Sequence, residues 1–277
     1  MAKTKWSAHQ NRLWIAANIE ALYSVVKDMG TATVIGVDPS STGLGLFTGV
    51  WEQGNTQIVE VSRSGKKTNS SFENCNSHCL TSEAAMFKTL KEASYDNDVN
   101  DTKILQNVFI FHEEVSVSSH FTGMKAVAIA TGSTFAGLGS GMRRFTMSTG
   151  YKTKEYVFPL YVSQIKKALT GNHKADKSEI HEALSAKGLE FSDDNQADAY
   201  GAFLIGCNML KVVYKLGPEV KNIDWVDKKG LREFEKTVDE IAEGIYPAVS
   251  ILSSPRLYKN LMGATKYGKK REEILNI

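Results

Sequence analysis

No stretch of this 277-residue chain approaches the roughly 18 uninterrupted apolar residues of a membrane-spanning helix, so no membrane segment is expected. The opening Met1-Ala2-Lys3-Thr4-Lys5-Trp6 lacks the apolar core of a secretory leader, and a cytoplasmic location is expected. Cysteine is scarce. Cys75, Cys79 and Cys207 make an odd count, which argues against a disulfide framework and agrees with a reducing compartment. Cys75, His78 and Cys79 lie close enough to suggest a metal clip. No second pair at ligand spacing completes a tetrahedral zinc set, so a loop with free thiols is expected. An excess of one charge is also missing, with 33 basic against 31 acidic residues, a total that neither suggests nor excludes a nucleic-acid partner. No internal repeat is visible. With 42% hydrophobic and 23% charged residues, disordered, collagen-like and low-complexity classes are excluded. The length suits one large domain with appendages and a core that needs no staples.

The chain does hold a clear order of elements. Residues 1–30 place Leu13, Trp14, Ile15, Ile19, Leu22 and Val26 mostly at helical spacing and end at Gly30, which predicts an amphipathic N-terminal helical extension. Strands are predicted over 31–38, 44–51 and 57–62, with Gly54-Asn55 marking the hairpin between the last two. Residues 63–80, rich in Ser, Asn and Lys, read as a mobile loop, and 81–94 as a helix. Val108-Phe109-Ile110-Phe111 has no polar alternation, as in a central strand buried on both faces. Another strand is predicted over 155–162, with helices near 163–169, 176–187 and 196–213. Gly217-Pro218 then breaks the pattern before a mostly helical appendage. A hairpin first and crossovers later predict an α/β fold with a mixed sheet flanked by helices. The expected partition is 1–30, 31–214 and 215–277.

Three acids stand where such a sheet makes side chains converge. Asp38 ends the first apolar strand beside a Ser/Gly turn, Glu113 ends the strand that begins at Val108, and Asp198 falls at the start of the helix near Gln196. Adjacent strands that end on one side of an open α/β sheet bring their last side chains to the ligand-binding crevice. A carboxylate after several apolar residues is costly unless a cation or donor compensates it. Clustered carboxylates suit Mg²⁺ or Mn²⁺. Taken singly, each acid also fits the role of a turn or helix cap. Basic residues gather in two places: six lysines against three acids over 151–181, and six Lys and Arg against two acids over 255–277. Such segments fit either a phosphate-facing surface or a solvated face.

At these residues a family comes into view. Thr33-Val34-Ile35-Gly36-Val37-Asp38-Pro39-Ser40-Ser41-Thr42-Gly43 resembles the first strand and turn of the RuvC family of Holliday-junction resolvases, members of the RNase H-like superfamily. Phe111-His112-Glu113-Glu114-Val115 resembles the second motif. Ile165-Lys166-Lys167-Ala168-Leu169-Thr170-Gly171 with Ala175-Asp176-Lys177-Ser178-Glu179-Ile180 resembles the lysine-bearing segment, and Asn195-Gln196-Ala197-Asp198-Ala199 the last motif. The resemblance implies an RNase H-like fold with a five-stranded mixed sheet, and metal-dependent cleavage of branched DNA such as four-way junctions. It implies two Mg²⁺ ions (Mn²⁺ as an alternative) held by Asp38 as shared ligand and by Glu113 and Asp198. Lys177 would neutralise charge at the scissile phosphate, and Lys166, Lys167 and Lys174 would hold the backbone. The family's extra Asp or His ligand, three residues before the last acid, is Asn195 here, and the resemblance leaves Asn195 or the adjacent Asp194 as the fourth metal ligand. Where the family carries a wedge aromatic after the second motif, this chain has Ser116, with Phe121 nearest. Residues 1–30 and 215–277 have no counterpart in the short bacterial enzymes, which implies a divergent phage or viral type acting in a host cytoplasm.

The small residues Ala126, Ala128, Ala130, Gly132, Ala136, Gly137, Gly139 and Gly141 predict a closely packed helix rather than a phosphate loop, since no Lys-Ser or Lys-Thr follows the glycines. The resemblance places the corresponding helix at a homodimer interface. Two other functions fit parts of the sequence. An actin-like or sugar-kinase-like ATPase shares the core, and Asp28-Met29-Gly30-Thr31 mimics its phosphate loop, but it precedes the strand and no second such loop exists. No nucleotide cofactor is therefore expected. A junction-binding protein without turnover is the other, given Asn195; a terminase-like or flap nuclease is a further possibility on the same fold.

Overall fold

The computed structural model describes residues 8–27, 29–64, 71–94, 105–114, 121–191 and 193–220, and the single positions 233, 236, 237, 251, 252, 254, 257, 259 and 261. Asp28, Ser116, the Phe121 side chain and most of the C-terminal basic segment lie outside them. Two compact units divide the chain. One is 30–207; the other combines 1–29 with 208–277, so both terminal segments fall in a single unit. No helix among the described residues is long and apolar enough to cross a membrane.

In the smaller unit, α1 (Ala8–Val26) buries Trp14, Ala17 and Ala21, with Leu13 and Leu261 packed alongside. The buried Asn18 amide donates to the carbonyls of Leu252 (2.6 Å) and Ser254 (2.9 Å), which ties sequence ends more than 230 residues apart.

The larger unit holds β1 (Thr31–Pro39), β2 (Leu44–Glu52), β3 (Asn55–Ser64), α2 (Ser71–Ser94), β4 (Leu105–Glu113), α3 (Phe121–Thr149), β5 (Lys152–Leu160), α4 (Val162–Thr170) and α5 (Lys177–Ser185). The last helix, α6 (Asp194–Leu216), starts in this unit and runs into the other. The sheet order is β3-β2-β1-β4-β5. β1, β2 and β3 pair antiparallel, while β1, β4 and β5 run parallel. This is the mixed sheet expected of an RNase H-like fold. Gln53 (φ 47°) and Gly54 (φ 90°) close the second hairpin, the paired positive φ values that match the twist of the strands.

Side-chain alternation sorts the two faces of the sheet. Ile35, Val37, Leu46, Val108 and Ile110 point to α2 and α3, where Met86, Leu90, Leu138 and Phe145 complete a core. Burying each such side chain contributes about 1.5–3 kcal/mol. Two small residues of α3 serve this packing within the chain: a Cβ on Gly137 would stand 2.1 Å from the Cys79 carbonyl oxygen and one on Gly141 2.7 Å from that of Glu83, whereas Gly132 and Gly139 face open space. The opposite face carries Phe109 and Phe111, stacked on Tyr156 (5.0 Å) and Phe158 (4.7 Å), and receives α6.

One expectation is corrected. Residues 71–80 are helical, not loop, because α2 begins at Ser71. Ser, Asn and Cys are weak helix formers. Tertiary packing overrides that preference: Asn74 and His78, one turn apart, are buried. The cysteines are free thiols as expected, but Cys75 and Cys79 sit on this helix.

Candidate metal centre

Asp38 is the last residue but one of β1, and Glu113 is the last of β4. Their parallel register pairs Val37 with His112, so the two acids are neighbours at the next step. Both share the face of Gly36 and Phe111, toward α6. Glu114, one residue on, is half-buried, and its backbone N–H donates to the Leu160 carbonyl at 2.7 Å.

The third acid arrives on α6. Asp193 caps this helix, its Oδ1 accepting from the Gln196 N–H at 2.9 Å. The helix therefore starts at Asp194, and Asp198 lies one turn in rather than at its first turn. Two glycines let α6 lie against the first hairpin. A Cβ on Gly36 would stand 2.2 Å from the Ala199 carbonyl oxygen, and one on Gly45 only 1.9 Å from that of Asn195. With the backbones this close, ligand atoms of Asp38, Glu113 and Asp198 all lie within 4.8 Å of one another.

Electrostatics follow from that geometry. Burial, then the charges of Glu113, Asp198, Asp193 and Asp194, hold the Asp38 carboxyl well above the usual range. Glu113 is pushed up to about 7, first by burial and then by Asp198, with Lys166 opposing. Asp198 is raised to about 6 by burial and by Asp194, opposed by Lys166, Lys177 and His181. Three hard oxygen donors short of positive charge form the environment that Mg²⁺ or Mn²⁺ relieves. The donor set fits such ions.

The sign of the pH effect follows. A carboxyl raised on folding stabilises the fold in its protonated form, fully below its unfolded pKa of about 4. That contribution is lost as pH rises through about 6 for Asp198 and about 7 for Glu113. Protons and cations compete for the same oxygens. Melting temperature is thus expected to rise more on adding Mn²⁺ at about pH 8 than at about pH 5.5. An equal rise at both would count against these acids as ligands.

The other sequence-derived residues have distinct positions. Lys166 is the lysine whose charge bears on both Glu113 and Asp198; its Nζ donates to the Ala175 carbonyl at 2.7 Å. Lys177 is paired with the Asp194 carboxylate, and its side chain is 76% exposed. Lys167 is half-buried on α4, and Lys174 is exposed beyond its end. Asp194 is held below the usual carboxylate range by Lys177 and then His181, whose Nε2 lies 3.1 Å from Oδ1. Asn195 donates from Nδ2 to the Ser40 hydroxyl at 3.2 Å. Sequence reasoning missed His181, although it follows Lys177 by four residues and so shares its helix face. It also missed Asp193, although Asp193-Asp194-Asn195-Gln196 has the form of a capping box.

No family model and no curated protein matches the sequence. Among solved structures, the chain is similar to Thermus thermophilus RuvC in complex with a Holliday junction substrate, with 18% identity over 68% of this chain and 97% of that one and a TM-score of 0.38. T. thermophilus RuvC by itself shows 18% identity over the same 68% and 97%, with a TM-score of 0.35. The yeast mitochondrial Holliday junction resolvase Ydc2 shows 15% identity over 76% of this chain and 99% of that one, with a TM-score of 0.38. The strand order and the convergence of the three acids agree with the resemblance of the sequence motifs to RuvC-type resolvases.

Proposed function

We propose that this chain is a divalent-metal-dependent endonuclease that resolves four-way and other branched DNA junctions by paired phosphodiester hydrolysis, acting as a homodimer. The observation that carries this reading is the convergence of Asp38, Glu113 and Asp198 within 4.8 Å at the ends of two parallel strands. Asp38, whose carboxyl feels the charges of both Glu113 and Asp198, would be the shared ligand of two Mg²⁺ or Mn²⁺ ions, with Glu113 and Asp198 each holding one. When bound, such ions neutralise phosphodiester charge and acidify water. Asp38 is buried and Glu113 and Asp198 are half-buried, which limits water at their oxygens. Lys166 stabilises the negative charge of the cluster, and Lys177, once released from Asp194, neutralises the scissile phosphate. Lys167 and Lys174 hold the DNA backbone, which gives affinity without reading bases.

The test is cleavage of a four-way junction against a linear duplex of the same sequence, with and without Mg²⁺. Metal-dependent paired nicks in the junction alone are expected. Binding without cleavage would identify instead a junction-binding protein that keeps the fold, a reading favoured by the engagement of Asp194 with Lys177 and His181.

Lysine contacts to phosphate do not need the ions, so junction binding is expected to persist in EDTA. It should weaken steeply with salt, by a log–log slope of about 0.9 per phosphate neutralised. A gel shift in EDTA without preference for the junction would count against resolution. The outward side of α3 leaves Ile129 50% and Met147 87% exposed, and a second copy of the chain covers it in the proposed dimer. A strictly monomeric species at micromolar concentration would overturn the paired-nick model but leave the metal chemistry standing.

A further inference from the structure

His78, the residue between two cysteines that first suggested a metal clip, has a different employment. It is fully buried, and each ring nitrogen has a partner. Nδ1 lies 2.6 Å from the Ser64 hydroxyl at the end of β3. Nε2 lies 2.9 Å from the Ser40 carbonyl oxygen in the β1–β2 turn. A carbonyl only accepts, so Nε2 carries a proton and donates it there.

Ser40 is two residues beyond Asp38 and is the hub of the turn. Its N–H donates to the Gly43 carbonyl at 2.8 Å, and its hydroxyl donates to the same oxygen at 2.9 Å. That hydroxyl accepts from the Gly43 N–H at 3.0 Å and from Asn195 Nδ2 at 3.2 Å. Asn74, one helical turn before His78, reaches the neighbouring Ser41 carbonyl at 3.4 Å. The turn is thus clasped from two sides: α2 holds its backbone through His78, and α6 holds its Ser40 side chain through Asn195. Asp38 lies two residues before the clasped Ser40, and Asp198 is about one helical turn after Asn195. A single hydrogen-bonded chain, Ser64–His78–Ser40–Asn195, therefore links β3, α2, the β1–β2 turn and α6.

We propose that His78 is a positioning residue: by bridging Ser64 to the Ser40 carbonyl it holds the β1–β2 turn so that Asp38 keeps its place beside Glu113 and Asp198. The proposal rests on the reading of those acids as metal ligands. The expectation is quantitative, because groups that orient metal ligands commonly change metal affinity or activity 10–100-fold when removed. His78→Leu keeps an apolar filling and loses both hydrogen bonds. His78→Gln keeps a side-chain N–H that reaches the Ser40 carbonyl.

The experiment measures Mn²⁺ binding by calorimetry and steady-state junction cleavage for the wild type and both variants, with melting curves and DNA binding in EDTA alongside. His78→Leu is expected to weaken Mn²⁺ about tenfold or more and to lower kcat about 10–100-fold, with KM for the junction unchanged. His78→Gln should restore both to within about threefold of wild type. A purely structural histidine would lower the melting temperature of both variants without this split or rescue. Unchanged Mn²⁺ affinity and kcat in folded His78→Leu would overturn the proposal. Should that variant not fold, Ser64→Ala, which trims one hydroxyl, is expected to reduce Mn²⁺ affinity about threefold or more, and an unchanged value there overturns it equally. If wild-type protein bound no Mn²⁺ that Asp38→Asn abolishes, the metal-site reading itself would have failed, an outcome separate from the role of His78.

Discussion

Glu113→Gln is expected to cut single-turnover junction cleavage by about 10³-fold while leaving junction binding in EDTA intact. The substitution removes a negative ligand at almost constant volume. It also removes a carboxyl that burial and Asp198 push to about 7, so at about pH 8 the metal-free variant should melt higher than wild type. Higher stability with lost turnover separates a site residue from a folding residue. Asp38→Asn and Asp198→Asn should behave alike, and combining them with Glu113→Gln should add little, because the three act as a unit. Glu114→Gln, one residue on along the alternation, should keep most activity. Normal cleavage by Glu113→Gln together with loss in Glu114→Gln would reverse the assignment of strand faces. Normal cleavage by both would remove the metal site from consideration.

Gly36→Ala should be among the most damaging single-methyl changes in the chain. Its Cβ would stand 2.2 Å from the Ala199 carbonyl oxygen and 2.3 Å from the Phe203 nitrogen, both backbone atoms of α6. Backbone within a helix cannot swing aside as a side-chain end does, so the helix must move. Overpacking of this kind costs about 1–3 kcal/mol or more, a drop in melting temperature of roughly 3–10 °C. The same shift carries Asp198 away from Asp38, so cleavage should fall more than about tenfold at temperatures where the variant is still folded. Gly132→Ala is the control. Nothing lies within 4 Å of its would-be Cβ, and alanine in place of a helical glycine should stabilise by up to about 1 kcal/mol. Equal melting temperatures for Gly36→Ala and wild type would show that α6 is free to back away from β1.

Much of this was legible from local pattern. The signal of an uninterrupted apolar run closed by an acid, Val34-Ile35-Gly36-Val37 before Asp38 and Val108-Phe109-Ile110-Phe111 before Glu113, needs no partner to be recognised. It led to the strands, to their buried character and to the acids at their ends. The helical start of α2 was not legible. Ser71, Asn74, Cys75 and Asn76 prefer turns and caps, and their helix forms because Asn74 and His78 find partners in a turn more than thirty residues earlier. The lysines were legible as a group but not as individuals. Lys166 and Lys167 are adjacent on α4, and only the packing of that helix on α6 through Ile165 and Leu169 turns the charge of Lys166 toward Glu113 and Asp198.

The sequence by itself determined the mixed α/β architecture, the small residues that let helices approach closely, and the three acids as the candidate site, because periodicity and strand ends are local properties. Tertiary structure alone decided that Asp194 spends its charge on Lys177 and His181, that His78 braces the first turn rather than a metal, and that Asp38, Glu113 and Asp198 share burial strong enough to raise all three. The reason is range. Desolvation and Coulomb forces between groups up to 160 residues apart in the chain act only after Gly36 and Gly45 have let α6 settle onto the hairpin, and no local pattern carries that distance.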